Sequence, residues 1–147
     1  PTELVQEMRK ANEFGKGTFA RTQMFYAAMS LRMHMADPAK LDFNKLTHDL
    51  QASYATYPYV EGTHFYDSFG HLNGYSAVYY TYMWSLVIAK DLLSEFKKHG
   101  MFDAKTAASY RDHVLVPGGS KPAAELVKDF LGRPYSFESY RKWLESN

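Results

Sequence analysis

The segment from Ser68 to Ser85 constrains this chain more than any other, because it must turn from loop into helix while carrying an unusual load of polar aromatic groups. It holds one His, four Tyr and two Gly: His71, then Tyr75, Tyr79, Tyr80 and Tyr82, with Gly70 and Gly74 between. Glycine takes backbone conformations closed to other residues, so Gly74 predicts a mobile turn bearing His71 and Tyr75. Tyr79 and Tyr82 are three apart and share a face of the helix that follows. Two readings of this segment stand side by side. One is a packed aromatic core with satisfied hydroxyls. The other is a cluster of phenol and imidazole donors aimed at a bound carbonyl or at developing negative charge.

The rest of the pattern is helical, and no strand-like alternation competes with it. Leu4, Met8 and Ala11 fall at i, i+4 and i+7, which predicts a first helix of about three turns, broken by Gly15 and Gly17. A second helix is expected from about Thr18 to Met35, closed by Asp37-Pro38, with Met24, Met29, Met33 and Met35 as core filler. Asp42 or Asn44 can cap a third helix carrying Leu46, Leu50 and Tyr54. Residues 57–63 read as loop. A long helix is then expected from about Tyr75 to Lys98, terminated by Gly100. Asp103 is a good cap for the next helix, whose apolar side holds Ala107, Tyr110, Val114 and Leu115. After Pro117-Gly118-Gly119, Ser120 or Lys121 opens a further helix with Pro122 in its first turn, ended by Gly132 and Pro134. Ser136 is the expected cap of a last helix with Tyr140, Trp143 and Leu144. The fold class is all-α.

Charge and composition exclude several functions. The net charge is +1 with no block of like charge, so no nucleic-acid footprint is indicated. Lys97-Lys98 and Arg141-Lys142 read as solvated helix faces. There is no cysteine, hence no disulfide and no thiol nucleophile. The start, Pro1-Thr2-Glu3-Leu4, has no signal-peptide pattern. The least polar run, Tyr75 to Ala89, is shorter than the ~20 apolar residues that span a bilayer, so no membrane partner is expected. The compartment stays open, with the cytoplasm favoured. Pro117-Gly118-Gly119-Ser120-Lys121 lacks the spacing of a phosphate loop and reads as a helix connection. His64 and His71 cannot make a zinc site by themselves, and His34, His48, His99 and His113 are scattered at expected surface positions.

The order Phe69-Gly70-His71-Leu72, Gly74-Tyr75, Ala77, Tyr79-Tyr80, Tyr82, Trp84-Ser85 resembles the C-terminal part of the thimet oligopeptidase family of zinc metallopeptidases. The resemblance continues through Gly100-Met101-Phe102-Asp103, Tyr110-Arg111-Asp112, Pro117 to Pro122 and Phe130 to Pro134. Upstream it takes in Phe19 to Gln23 and Leu31 to His34. Many members have two glycines before the matching tyrosine. The shorter Leu72-Asn73-Gly74 is similar to the form in mitochondrial intermediate peptidases and some bacterial members.

The resemblance implies an irregular multi-helix region forming the C-terminal part of a zincin-like oligopeptidase over residues 1–147, with a deep channel for short peptides. It implies that His71 binds substrate, that Tyr75 and Tyr82 face the zinc and the scissile peptide with one of them helping to stabilise the oxyanion, and that Gly74 is a flexible element. Tyr79 and Tyr80 are expected in the core or the channel wall. The family's His-Glu-x-x-His motif does not occur here, since none of the six His is followed by Glu. The implied arrangement therefore has no metal ligand in this chain. Zinc and the general base would come from an upstream, zinc-binding part of the same enzyme, and self-association is the expected behaviour of the piece alone. The rival is a non-catalytic helical module that binds a peptide or a protein.

Overall fold

The computed structural model describes residues 1–146. They fall into two compact units, Pro1–Met83 and Trp84–Ser146. Among the described residues every regular element is helical, and no helix is long and apolar enough to cross a membrane.

In the first unit, α1 spans Thr2–Glu13 and α2 spans Lys16–Met35. Gly15 makes the corner between them at φ 78°, a left-handed conformation that glycine adopts without penalty. Gly17 lies inside α2, so only Gly15 acts as the expected breaker. No residue of α1 is buried: the stripe of Leu4 and Met8 is present and open to solvent. The break between α2 and α3 contains Asp37-Pro38 as expected. Helix α3 is Phe43–Tyr54, and Asp42 is its cap, with Oδ1 accepting from the Lys45 N–H at 2.9 Å. Asn44 instead bonds His64 and Tyr66.

The core of this unit is Ala27, Met29, Phe69 and Tyr79, with Tyr26, Met33, Leu46, Leu50, Phe65, Tyr66 and Leu72 packed around it. Burying a side chain the size of Met29 contributes ~1.5–3 kcal/mol. Met24 and Met35 are exposed, so only part of the methionine set fills the core. Two one-turn helices follow the loop at residues 57–63: α4, Phe65–Ser68, and α5, Leu72–Tyr75.

Helix α6 is Thr81–His99. The expected helix from Tyr75 is thus interrupted, because Ser76 sits at φ 47°, ψ −115° and turns the chain before α6 can start. The other end follows the expectation: the Gly100 N–H bonds the Phe96 carbonyl at 2.8 Å, and Gly100 takes φ 115°.

In the second unit, Asp103 caps α7, Ala104–Tyr110, by accepting from the Thr106 N–H at 2.7 Å. The chain winds on through a π-helical turn, Arg111–Leu115, and a 3₁₀ turn, Gly118–Ser120. Leu115 is exposed there instead of packed. Helix α8 is Ala123–Leu131, with Pro122 as the cap residue just before the first turn and Gly132 left-handed at the end. Helix α9 is Glu138–Glu145, preceded by Phe137. Ser136 does not cap it; its N–H points at the buried carboxylate of Asp91 instead. Leu126, Val127 and Tyr140 are the buried apolar residues of this unit. The rings of Phe96, Tyr110 and Phe130 meet one another at 5.4–6.1 Å.

A candidate active site around His71

His71 stands at the entrance to α5, where the Tyr75 N–H bonds the His71 carbonyl at 2.9 Å. This single helical turn brings the two side chains onto one side, with ring centroids 5.9 Å apart. The Tyr75–Val78 turn follows, closed by the Val78 N–H on the Tyr75 carbonyl at 3.1 Å. Its first central residue is Ser76, in a conformation that favours glycine, as in a type II′ turn. A serine held there costs about 1–3 kcal/mol. Gly74, expected to take a backbone closed to other residues, is an ordinary helical residue, and a Cβ built on it meets nothing within 4 Å.

The turn brings Tyr79 and Tyr82 back against His71. The His71 ring sits edge-on to Tyr79 at 4.9 Å and to Tyr82 at 5.8 Å, and Nε2 lies 3.3 Å from the Tyr82 hydroxyl. The rings of Tyr79 and Tyr82 lie 5.0 Å apart, but not on one helix face as expected, since Tyr79 precedes α6, which begins at Thr81. His71 is thus the hub that joins the two expected tyrosines: it touches Tyr75, bonds Tyr82 and is half-buried against Phe69. The two phenols are open, Tyr75 being 63% and Tyr82 54% exposed.

Tyr79 differs in kind. It is buried, its hydroxyl donates to Gln23 Oε1 at 3.0 Å, and burial, followed by the neighbouring Tyr26, pushes its phenol above the ordinary value. It keeps its proton through the neutral range and holds the cluster down on α2. Tyr80 is exposed. Tyr79 is in the core as expected, but its bond to Gln23 was not visible in the sequence, because it joins residues 56 apart. The same holds for Ser30, whose hydroxyl reaches the Ser76 carbonyl.

The other histidines take no part. His64 Nδ1 meets Asn44 Oδ1 at 2.9 Å, and Tyr66 shares that acceptor at 3.0 Å. An open cleft of about 480 Å³ lies beside Asn44, His48, Tyr59 and His64, and another of about 310 Å³ beside Glu95, His99 and Asp103. Neither is lined by His71, Tyr75 or Tyr82.

An all-α chain that presents an open histidine–tyrosine cluster at a loop–helix junction fits the peptidase class that the residue order resembles. The family described as Peptidase family M3 matches residues 1–146, and the chain belongs to it. It is 34% identical over 134 residues to "Thimet-like oligopeptidase" of Dictyostelium discoideum, covering 90% of this chain and 20% of that protein. It is 30% identical over 143 residues to "Oligopeptidase A" of Salmonella typhimurium, again covering 90% and 20%. It is 28% identical over 134 residues to "Mitochondrial intermediate peptidase, mitochondrial" of Arabidopsis thaliana, covering 90% and 19%. The chain therefore spans about a fifth of the length of these relatives.

Peptidases of this family are in general zinc-dependent. A catalytic zinc takes three protein ligands. Among the described residues no three His, Asp or Glu side chains come together in a way that could hold a metal ion. The residues present do not by themselves fit the ion.

Proposed function

We propose that this chain is the C-terminal, substrate-facing portion of a zinc-dependent oligopeptidase that hydrolyses short peptides. Zinc and the general base belong to a part of the enzyme outside these residues. The observation that carries the reading is the His71 hub: one imidazole in contact with two exposed phenols, on a junction whose residue order is that of the family. A phenol is a neutral donor at neutral pH, and one such donor to an oxyanion is worth on the order of 10²–10³ in rate. In this reading Tyr82 and Tyr75 are the catalytic donors and His71 holds substrate. Gly74 gives the α5 turn its freedom to adjust.

The test is made in the complete enzyme on a short peptide. Tyr82→Phe and Tyr75→Phe should lower kcat, by about 10²-fold for at least one of them, with KM almost unchanged. Zinc content should stay normal, because neither residue is a ligand. Wild-type kcat in both variants would defeat the oxyanion assignment.

A second reading is a non-catalytic helical module for a peptide or protein. It is favoured by the balance of apolar residues: eight hydrophobics are buried and twenty large ones are exposed among the described residues. Phe14 and Phe102 are among the most open of these. The coding sequence upstream of Pro1 separates the two readings. A His-Glu-x-x-His helix there supports the enzyme, and an unrelated domain supports the module.

A further inference from the structure

The approach of Tyr82 to His71 is set by the backbone turn between them. His71 precedes the Tyr75–Val78 turn and Tyr82 follows it, so the phenol meets the imidazole where that turn sends the chain. That turn requires Ser76 to stay at φ 47°, a conformation an L-residue leaves unless something holds it. The holding contact comes from α2. The Ser30 hydroxyl, fully buried, donates to the Ser76 carbonyl at 2.5 Å across 46 residues of sequence. A serine inside a helix ordinarily turns its hydroxyl back onto the carbonyl one turn earlier. Ser30 directs its bond to the turn instead, while its own carbonyl receives His34 Nδ1 at 2.8 Å.

We propose that Ser30 is a positioning residue for Tyr82: its hydroxyl clamps the Ser76 carbonyl, holds the turn in its unfavourable conformation and so keeps the Tyr82 phenol against His71. The proposal rests on the peptidase reading for its functional consequence, but the clamp itself is a property of this chain. Ser76 is exposed, and a glycine there adopts the same backbone at no steric cost. Ser76→Gly should therefore make the clamp dispensable.

The first arm is amide hydrogen exchange by NMR on the 147-residue chain. Ser30→Ala should speed exchange at the Val78 N–H, which closes the turn, by on the order of five- to tenfold, the effect of losing one net hydrogen bond. Adding Ser76→Gly to Ser30→Ala should return it to near the original rate. Unchanged Val78 exchange in Ser30→Ala overturns the clamp. The second arm is kinetic, in the complete enzyme. Ser30→Ala should lower kcat by a similar factor at nearly constant KM, and the double variant should recover it. A merely structural Ser30 would lower thermal stability without a kcat deficit that Ser76→Gly rescues, and that result overturns the positioning role. If Tyr75→Phe and Tyr82→Phe both keep wild-type kcat, the peptidase reading fails and takes the role of Tyr82 with it. The exchange arm still decides whether Ser30 clamps the turn.

Discussion

Asp91→Asn is the substitution whose cost can be worked out most directly. Asp91, on α6, is fully buried, and its two oxygens take four donors. Arg133 Nη1 and Nη2 approach at 2.7 and 2.9 Å, the Ser136 N–H at 2.8 Å and the Ser139 hydroxyl at 3.0 Å. One carboxylate thus ties the irregular link between α8 and α9 to α6. Asparagine keeps the shape but removes the charge and turns an N–H₂ toward donors. Breaking a fully buried pair costs about 3–5 kcal/mol. The Arg133 side chain is 43% exposed and water can resolvate it, so the expected loss falls below that range, to ~2–3 kcal/mol.

Both tryptophans, Trp84 and Trp143, lie in the same unit as Asp91, so their fluorescence in urea reports this unit. With a slope near ~1 kcal/mol per molar, the midpoint should fall by ~2–3 M. If Asp91→Asn fails to fold, Arg133→Lys, which keeps the charge and loses the fork, should give a smaller, measurable shift. The acid side gives an independent check. Burial pushes the Asp91 carboxyl up, but Arg133, the Ser136 N–H and Ser139 together outweigh it and hold it below the ordinary 3.8. A lowered folded value contributes stability that is fully present above the unfolded value. It is lost as pH falls from about 4 through the folded one. Asp91→Asn should remove that acid sensitivity. A midpoint shift under ~0.5 M, with the acid profile unchanged, would refute the account.

The Gly74→Ala variant of this chain should fold normally and gain about 0.5–1 kcal/mol, since Gly74 is helical and its Cβ would meet nothing. If the complete enzyme loses turnover and affinity together in the same variant, the glycine serves motion and not shape; unchanged kinetics would remove it from the site. Calorimetry with zinc should show no tight one-to-one uptake by the 147-residue chain, because three ligands do not converge; uptake with chelator-sensitive peptidase activity would contradict this. Sedimentation across a wide concentration range, with dye binding, should show self-association through the exposed apolar residues; a strictly monomeric chain that binds no dye would count against an unpartnered face.

Where local chemistry decides, the fold was legible. Asp42 and Asp103 cap because a short carboxylate reaches the N–H three residues on, and Gly100 and Gly132 end helices because they tolerate positive φ. The α6 boundary was misplaced for a reason of the same kind. Gly74 is the residue that local rules assign to an unusual backbone, yet Ser76 bears it. Nothing within ten residues explains that choice, because the stabilising hydroxyl belongs to Ser30 on another helix. Ser136 is a parallel case, its N–H drawn to Asp91 across 45 residues. The exposed Leu4–Met8 stripe marks the other limit, since periodicity identifies an apolar face and not what covers it. The site divides along the same line. His71, Tyr75 and Tyr82 could be picked out by residue type and order, and the fold brings them together. Gln23, Ser30 and Ser76 are ordinary polar residues whose importance lies wholly in their partners. A neutral glutamine or serine carries no signal until a phenol or a strained carbonyl is placed against it. The groups that hold a candidate side chain in place are therefore harder to find from sequence than the candidate itself. Long-range hydrogen bonds to the site's backbone are the observation that exposes them.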